Sequence, residues 1–389
     1  MFESIGTGDG KKVEYIELIY DLIFVYLIGR SNSLLELTSG FFTAGMFLRY
    51  LFFSLVILQI WYFSALFINR YGSNGVSDHV FLFINMYLLY FLADGISLHD
   101  LGHYIRFNAA WGLILVNIAA QYALRLLKCP TPWEKRHLLF HMLRLLVEAA
   151  IVLISIPLYS ATHLAFSWVC LPFGFAAGFF TERVDAVMPV NFEHLSERVM
   201  LFVVFTFGEM IVAIAEYFDG SMSPSTLYFS LMTFLIVAGL FVSYGFLYNR
   251  VIDRERPFSG TVYMLIHIVM ITALNCLTLA MLYMQDPAVS QGPKNVFLAA
   301  AFLGYYLAMF FLSRYAKENY RVGRGFFLAL VGVSCVFALL EYVFYQNGWL
   351  GIAASALYVY AVFAMIVLRW RRAKTELRGA DRAGFPSKP

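Results

Sequence analysis

Acidic residues occur within two apolar stretches of the chain, where a helix that crosses a bilayer would normally carry none. The first stretch, EYIELIYDLIFVYLIGR, covers residues 14–30, and the second, EHLSERVMLFVVFTFGEMIVAIAE, covers residues 193–216. A charge at membrane depth is costly, so it usually faces a bundle interior, a partner charge or a water-filled cavity. We therefore predict that the two stretches hold the functional site, an ion or solute pathway formed by Glu17, Asp21, Glu197, Arg198 and Glu209.

In the first stretch, Glu14, Glu17 and Asp21 are separated by three and four residues and share one helix face. Glu14 and Glu17 can simply occupy the start of the helix, where carboxylates suit the positive end of the helix dipole. Asp21 lies about two turns inside, which favours a buried role.

In the second stretch, Arg198, Glu209 and Glu216 fall close to one helical stripe. Glu209 is about 18 Å along the helix from Glu197, near the middle or outer half of a membrane. Two interpretations stay open for these charges. They form an ion pair that fixes helix register, or they titrate protons and coordinate cations, with Glu209 as the strongest single candidate.

Further ionisable residues within apolar segments are secondary candidates: Asp94, Arg144, Glu148, His194, Glu216, His267 and Glu341. Arg144 and Glu148 are i, i+4 partners, which favours a structural pair. Asp94 and Glu341 lack an evident partner nearby in the sequence, and His267 is expected to be neutral and hydrogen-bonded. The sequence indicates no catalytic residue, no metal-ligand set and no cofactor. His99 and His103 fit interfacial polar positions better than metal ligands.

The composition explains why these residues stand out. The chain has 389 residues, of which 61% are hydrophobic and 14% charged, and its mean hydropathy is +0.71. Soluble domains carry about 25% charged residues, so a chain this poor in charge is typical of an integral membrane protein. The net charge of +3 comes from short basic loops and a basic tail, which argues against a nucleic-acid partner.

The fold class predicted is all-α, a polytopic membrane protein with about twelve helices, since about 20 apolar residues cross a bilayer. Lys and Arg concentrate at the termini and in every second loop, which predicts that both termini are cytoplasmic. The predicted spans are 14–37, 44–69, 79–98, 107–127, 138–158, 162–181, 193–217, 226–248, 258–284, 295–313, 325–346 and 350–369.

A duplication is one interpretation of this layout. A shift of 180 residues places Glu17 on Glu197, Asn69 on Asn249 and Arg70 on Arg250, which would give two six-helix repeats of the same orientation. Chance together with shared helix-end chemistry is the alternative explanation of these three identities. The corresponding division is a cytoplasmic N-terminus at 1–13, repeats at 14–181 and 193–369, a linker at 182–192 and a basic cytoplasmic tail at 370–389.

Several of these segments resemble a known family. The first span reads IELIYDLIFV and retains Glu17 and Asp21; a later segment reads HLSER and is followed by FGE at 207–209. Together with WYFSALFINR at 61–70, they are similar to the signatures of the bacterial low temperature requirement A family. The departure is Phe207, where that family typically has Leu. The resemblance implies a multi-spanning protein of the bacterial plasma membrane, and it carries no chemistry over to the matching residues.

The leading functional hypothesis is a transporter or channel for protons, for cations or for a small solute coupled to protons. In it, Glu17 and Asp21 guard the cytoplasmic opening, Glu197 and Arg198 form a gate pair, and Glu209 titrates within the pathway. The partners expected are the lipid bilayer and the transported ion or solute, and a homodimer through an exposed helix face stays open.

Two other classes of function stay open. One is an intramembrane lipid-modifying enzyme, in which His194, His267 or the pair His99 and His103 would supply acid–base or metal groups; no nucleophile or metal spacing favours it. The other is a receptor or membrane-organising protein involved in stress adaptation, which the many aromatic residues would allow.

Overall fold

The computed structural model describes residues 11–35, 43–96, 101–128, 131–180, 182–185, 188–215, 218, 223–255, 258, 260–285 and 291–382. Within these ranges the protein is all-helical apart from one isolated β-bridge between Ile252 and Ala316. The helices are α1 Tyr15–Ser31, α2 Ala44–Tyr71, α3 Val76–Asp94, α4 Leu101–Leu127, α5 Pro132–Thr162, α6 Cys170–Phe180, α7 Glu182–Asp185, α8 Phe192–Ile214, α9 Pro224–Phe246, α10 Gly260–Gln285, α11 Gln291–Leu312, α12 Arg324–Val343 and α13 Gly348–Arg382.

By length and composition, nine helices in the described part of the chain are long and apolar enough to cross a membrane. The prediction of an all-α membrane protein is therefore confirmed, while the count of twelve and the two repeats stay predictions. The three predicted spans outside the nine are α1, which has 17 residues, α6, which has 11, and the charged helix α8. α5 continues past the predicted end of its span to Thr162, and α6 begins only at Cys170.

The described residues pack as two compact units. The first unit comprises the described residues within 11–35, 43–202 and 254–268, and the second comprises those within 203–253 and 269–382. α8 and α10 each contribute residues to both units.

Helix α2 is the core of the first unit, because 89% of its most apolar window is buried. It begins at the cap Thr43, whose hydroxyl accepts the Met46 backbone N–H at 3.2 Å. A helix that is hydrophobic on all sides is buried on all sides. Polar side chains on α2 therefore need partners inside the protein. Trp61 and Asn69, both buried, are two such residues.

Close packing within the first unit depends on one glycine of α6. A Cβ atom added at Gly174 would lie 2.1 Å from Gln59 Nε2 and 2.8 Å from Glu148 Oε2. Gln59 donates a hydrogen bond to the Leu171 carbonyl at 3.2 Å, and Arg144 donates one to the Gly174 carbonyl. The glycine thus allows α6 to approach α2 and α5 closely.

The second unit is formed by α9, α11, α12, α13 and parts of α8 and α10. Its helices are joined by hydrogen bonds such as that from the buried Tyr305 hydroxyl to the Leu240 carbonyl, at 2.8 Å. A largely apolar cavity of about 910 Å³ lies among α11, α12 and α13, and Glu341 is one of the residues that line it.

Candidate functional site: a buried charge cluster on α1, α2 and α8

Two helix starts bring charged residues together in the first unit. α8 begins after Asn191, whose side-chain oxygen accepts the His194 backbone N–H at 3.1 Å. This is the usual capping role of Asn, and it places His194 and Arg198 on successive turns of one face. α1 begins at Tyr15 and places Glu17 and Asp21 in the same i, i+4 relation.

Arg198 joins these faces. Its Nη1 donates to Glu17 Oε2 at 2.8 Å, and its Nη2 donates to Asp21 Oδ1 at 2.8 Å. Its Nε donates to Asp21 Oδ2 at 2.9 Å. The side chains of Arg198 and Asp21 are 0% exposed and that of Glu17 is 3% exposed, so these charged hydrogen bonds are screened from water.

A tryptophan of α2 completes the surroundings of Asp21. The indole N–H of Trp61 donates to Asp21 Oδ1 at 2.8 Å, and its ring packs on Phe202 with centroids 4.5 Å apart. Asp21 is therefore fixed by both Arg198 and Trp61. A carboxylate held so completely is suited to joining α1, α2 and α8.

The Glu17 side of the cluster contains a histidine whose protonation follows from its contacts. The Asn191 backbone N–H donates to Asn69 Oδ1 at 2.9 Å, so the other amide atom of Asn69 is its NH₂ group. That group donates to His194 Nδ1 at 3.0 Å. His194 is thus neutral and carries its proton on Nε2, 3.4 Å from Glu17 Oε1, although this contact lacks hydrogen-bond geometry.

Lys11 contributes a second positive charge near Glu17. Its ammonium group donates to the carbonyl oxygens of Ile68, Asn69 and Gly72 at 2.5, 3.2 and 2.9 Å, at the C-terminal end of α2. Burial lowers the pKa of Lys11, and the negative charge of Glu17 opposes that effect. Cations are favoured at this end of a helix because of its dipole.

A chain of hydrogen bonds runs from α1 into the remainder of the first unit. The Tyr20 hydroxyl lies 2.9 Å from the Ser64 hydroxyl and accepts from Asn85 at 3.2 Å. Asn85 in turn accepts from Asn117 at 2.9 Å. α1, α2, α3 and α4 are therefore joined by polar contacts of the kind that hold helices together in membranes.

The charges that hydrogen-bond directly within the cluster are unequal in number. Two carboxylates, Glu17 and Asp21, bond to one guanidinium, that of Arg198. His194 is neutral, and the three N–H groups of the nearby Lys11 are directed at carbonyl oxygens. With Lys11 counted, two carboxylates face two positive charges, and Glu17 is the carboxylate next to the histidine.

The other predicted pathway residues have different positions. The gate pair predicted from the sequence joins Glu197 to Arg198. The hydrogen bonds of the Arg198 guanidinium instead go to Glu17 and Asp21 of α1. Glu197 is half-buried in the first unit, and Glu209 is half-buried in the second unit. Glu216 lies outside the described residues.

The secondary candidates have diverse positions. Asp94 is exposed and forms an ion pair with Arg106 at 2.9 Å. Arg144 and Glu148 form a buried pair at 3.0 Å, as their spacing indicates. His267 donates from Nδ1 to the Tyr263 carbonyl at 2.8 Å. In the second unit, Glu341 accepts a hydrogen bond from Ser355 at 3.1 Å.

The sequence analysis did not single out a second buried group in the first unit, formed by Arg70, His137, His141 and Asp185. The two histidines share a helix face of α5, and both imidazoles lie within 3.1 Å of one oxygen of Asp185. Their i, i+4 spacing was a usable signal. Asp185, 44 residues beyond His141, could not be assigned to them from spacing.

A comparison with known families identifies one that matches most of the chain. The sequence profile of the family described as Bacterial low temperature requirement A protein (LtrA) matches residues 12–368. The match therefore includes every residue of the cluster except Lys11. A search of curated proteins found none that matches the chain.

Proposed function

We propose that this chain, which belongs to the bacterial low temperature requirement A family, is a membrane transporter or channel that moves protons, alone or together with another solute. The observation that carries the proposal is the buried group of ionisable side chains on α1 and α8. Two carboxylates share one guanidinium, and Nε2 of the His194 imidazole lies 3.4 Å from one of them. A buried carboxylate next to an imidazole is the kind of group that proton pathways in membranes use.

The proposed step uses both nitrogens of His194. First, the hydrogen bond from the Asn69 amide to His194 Nδ1 breaks, and a proton from the pathway binds to that nitrogen. The proton on His194 Nε2 then passes to Glu17 Oε1. The imidazole remains neutral, with its proton now on Nδ1, and Glu17 becomes a neutral acid. Histidine suits this relay because its two nitrogens can be protonated separately. Arg198 and Asp21 stay paired and hold the geometry.

The alternating positive loops support an orientation in which both termini are cytoplasmic. In that orientation Lys11 and the C-terminal end of α2 lie towards the cytoplasm, so the proton reaches His194 from that side. That Glu209 titrates within the pathway stays a prediction from the sequence.

The test is proton flux into liposomes that contain the purified protein, driven by a potassium diffusion potential and followed with a trapped pH-sensitive dye. We expect flux with the wild type and its loss in Glu17→Gln and His194→Gln, since each change removes one partner of the relay. Glu209→Gln tests the predicted titrating role of Glu209 in the same assay.

Glu193→Gln is the matched control, because Glu193 lies on the same helix α8 but is exposed. It should conduct as the wild type does. Flux in Glu17→Gln equal to that of the wild type would exclude the proposed relay. A wild type that moves no protons under either a voltage or a solute gradient would exclude proton transport altogether.

A further inference from the structure

In the second buried group of the first unit, two histidine side chains lie next to the same carboxylate oxygen. His137 Nε2 and His141 Nε2 lie 3.1 and 2.9 Å from Asp185 Oδ1. The three ligand-type atoms all lie within 4.8 Å of one another, and all three residues are buried. Tetrahedral Zn²⁺ binds nitrogen and oxygen at about 2.0–2.1 Å, so its ligand atoms are about 3.3 Å apart. The distances to Asp185 are already close to this value.

The elements that carry these atoms hold them firmly. His137 and His141 are one turn apart on α5, so the helix fixes both imidazoles on one face. Asp185 ends α7, and Arg70 of α2 is 3.2 Å from its Oδ1. The aromatic ring of Tyr122 stacks on His141 with centroids 5.6 Å apart.

One outer contact has the form that metal-bound histidines use. The hydroxyl of Tyr71 lies 2.7 Å from His137 Nδ1. A histidine that binds a metal through Nε2 carries its proton on Nδ1 and donates it to such a group. The tyrosine hydroxyl can accept that proton, so the ligand tautomer of His137 is compatible with its surroundings.

The positive charge of Arg70 would repel a metal ion at this site. Arg70 faces Asp185, and its Nε donates a hydrogen bond to the Met188 carbonyl at 3.0 Å. Arg125 and Glu134 neutralise each other nearby, at 3.3 Å. Asp185 is thus paired with one arginine. A divalent ion must bind against Arg70, which makes that residue a sensitive probe of the site.

We propose that His137, His141 and Asp185 form a binding site for a divalent transition metal ion of the Zn²⁺ class. Two imidazoles and one carboxylate suit zinc and cobalt, whereas Mg²⁺ and Ca²⁺ prefer oxygen ligands. Three protein ligands leave one position for water or an added ligand. The site is separate from the Glu17 cluster, and α2 joins the two, because Asn69 and Arg70 are adjacent on it.

The test uses the full-length protein, purified without a histidine tag and stripped with a chelator. Cobalt is titrated in while its visible d–d absorption is recorded, zinc then displaces it, and the metal content is measured by elemental analysis. We expect one ion per chain with tetrahedral cobalt absorption. The double variant His137→Gln/His141→Gln should lose the bound ion and the cobalt absorption. Tyr71→Phe keeps the ring and removes only the hydroxyl, so it should weaken zinc binding about 10- to 100-fold.

Two variants keep the test decisive if the double variant folds poorly. His163→Asn is the matched control, because His163 is exposed with φ of 57°, a conformation that Asn adopts readily; it should bind as the wild type does. Arg70→Gln removes the opposing charge and should tighten zinc binding. Metal content well below one per chain in the wild type, or weaker binding in Arg70→Gln, would overturn the proposal and leave a hydrogen-bonded ion pair.

Discussion

Replacement of Arg198 should lower the free energy of unfolding, and its hydrogen bonds indicate by how much. Arg198→Met keeps an unbranched apolar chain in the same space but leaves Asp21 and Glu17 buried without their guanidinium. Glu17 still has His194 and Lys11 nearby, whereas Asp21 retains only the Trp61 N–H. Breaking one partner of a buried ion pair typically costs about 3–5 kcal/mol.

The cost of protonating Asp21 gives a second estimate of the same loss of stability. In the variant, Asp21 must be protonated to stay buried. At pH 7 that costs about 4 kcal/mol for an aspartate of ordinary pKa near 3.9, and at pH 5.5 it costs about 2 kcal/mol. The free energy of unfolding of Arg198→Met should therefore be about 4 kcal/mol below that of the wild type at pH 7, and the difference should halve at pH 5.5.

The assay is equilibrium unfolding of the purified protein in mixed micelles at both pH values. Arg106→Met is the control: its pair with Asp94 has side-chain exposures of 45% and 57%, so its loss should cost no more than about 1 kcal/mol. The double variant Arg198→Met/Asp21→Asn should recover most of the lost stability. A cost for Arg198→Met no larger than that of Arg106→Met, or one independent of pH, would refute the reasoning.

Three smaller changes test neighbouring contacts. Trp61→Phe removes the N–H that bonds to Asp21 and should lower the free energy of unfolding by about 1.5–3 kcal/mol, measured in the same micelles. Gly174→Ala should cost about 1–3 kcal/mol, because the added methyl would contact Gln59 Nε2; a neutral effect would contradict the close packing. In chelator-treated protein, burial would raise the pKa of Asp185, but hydrogen bonds from the histidines outweigh it and hold that pKa well below its usual range. The free energy of unfolding of the wild type should therefore exceed that of Asp185→Asn by a constant amount above about pH 4. This difference should shrink as the pH falls below about 4, and a difference that grows towards low pH would contradict the prediction.

The sequence alone determined the class of protein, because hydropathy and charge are local properties of each segment. Runs of about 20 apolar residues must be helical in a bilayer, since no water is present to satisfy the backbone. The same reasoning identified Glu17, Asp21 and Arg198 as unusual, because a charge within such a run needs a partner. It also identified Arg144 and Glu148 as partners, since an i, i+4 pair is decided within one helix.

The tertiary structure decided which charges meet. Arg198 lies 177 residues from Asp21 along the chain, and it could equally have paired with Glu197 by its position in the sequence. Only the packing of α8 against α1 directs the guanidinium to two carboxylates. The WYFSALFINR segment shows the same division: its Trp61, Asn69 and Arg70 bind Asp21, His194 and Asp185, three partners on different helices. Helical periodicity gives the face on which a residue lies, but the neighbour of that face is set by how the helices pack.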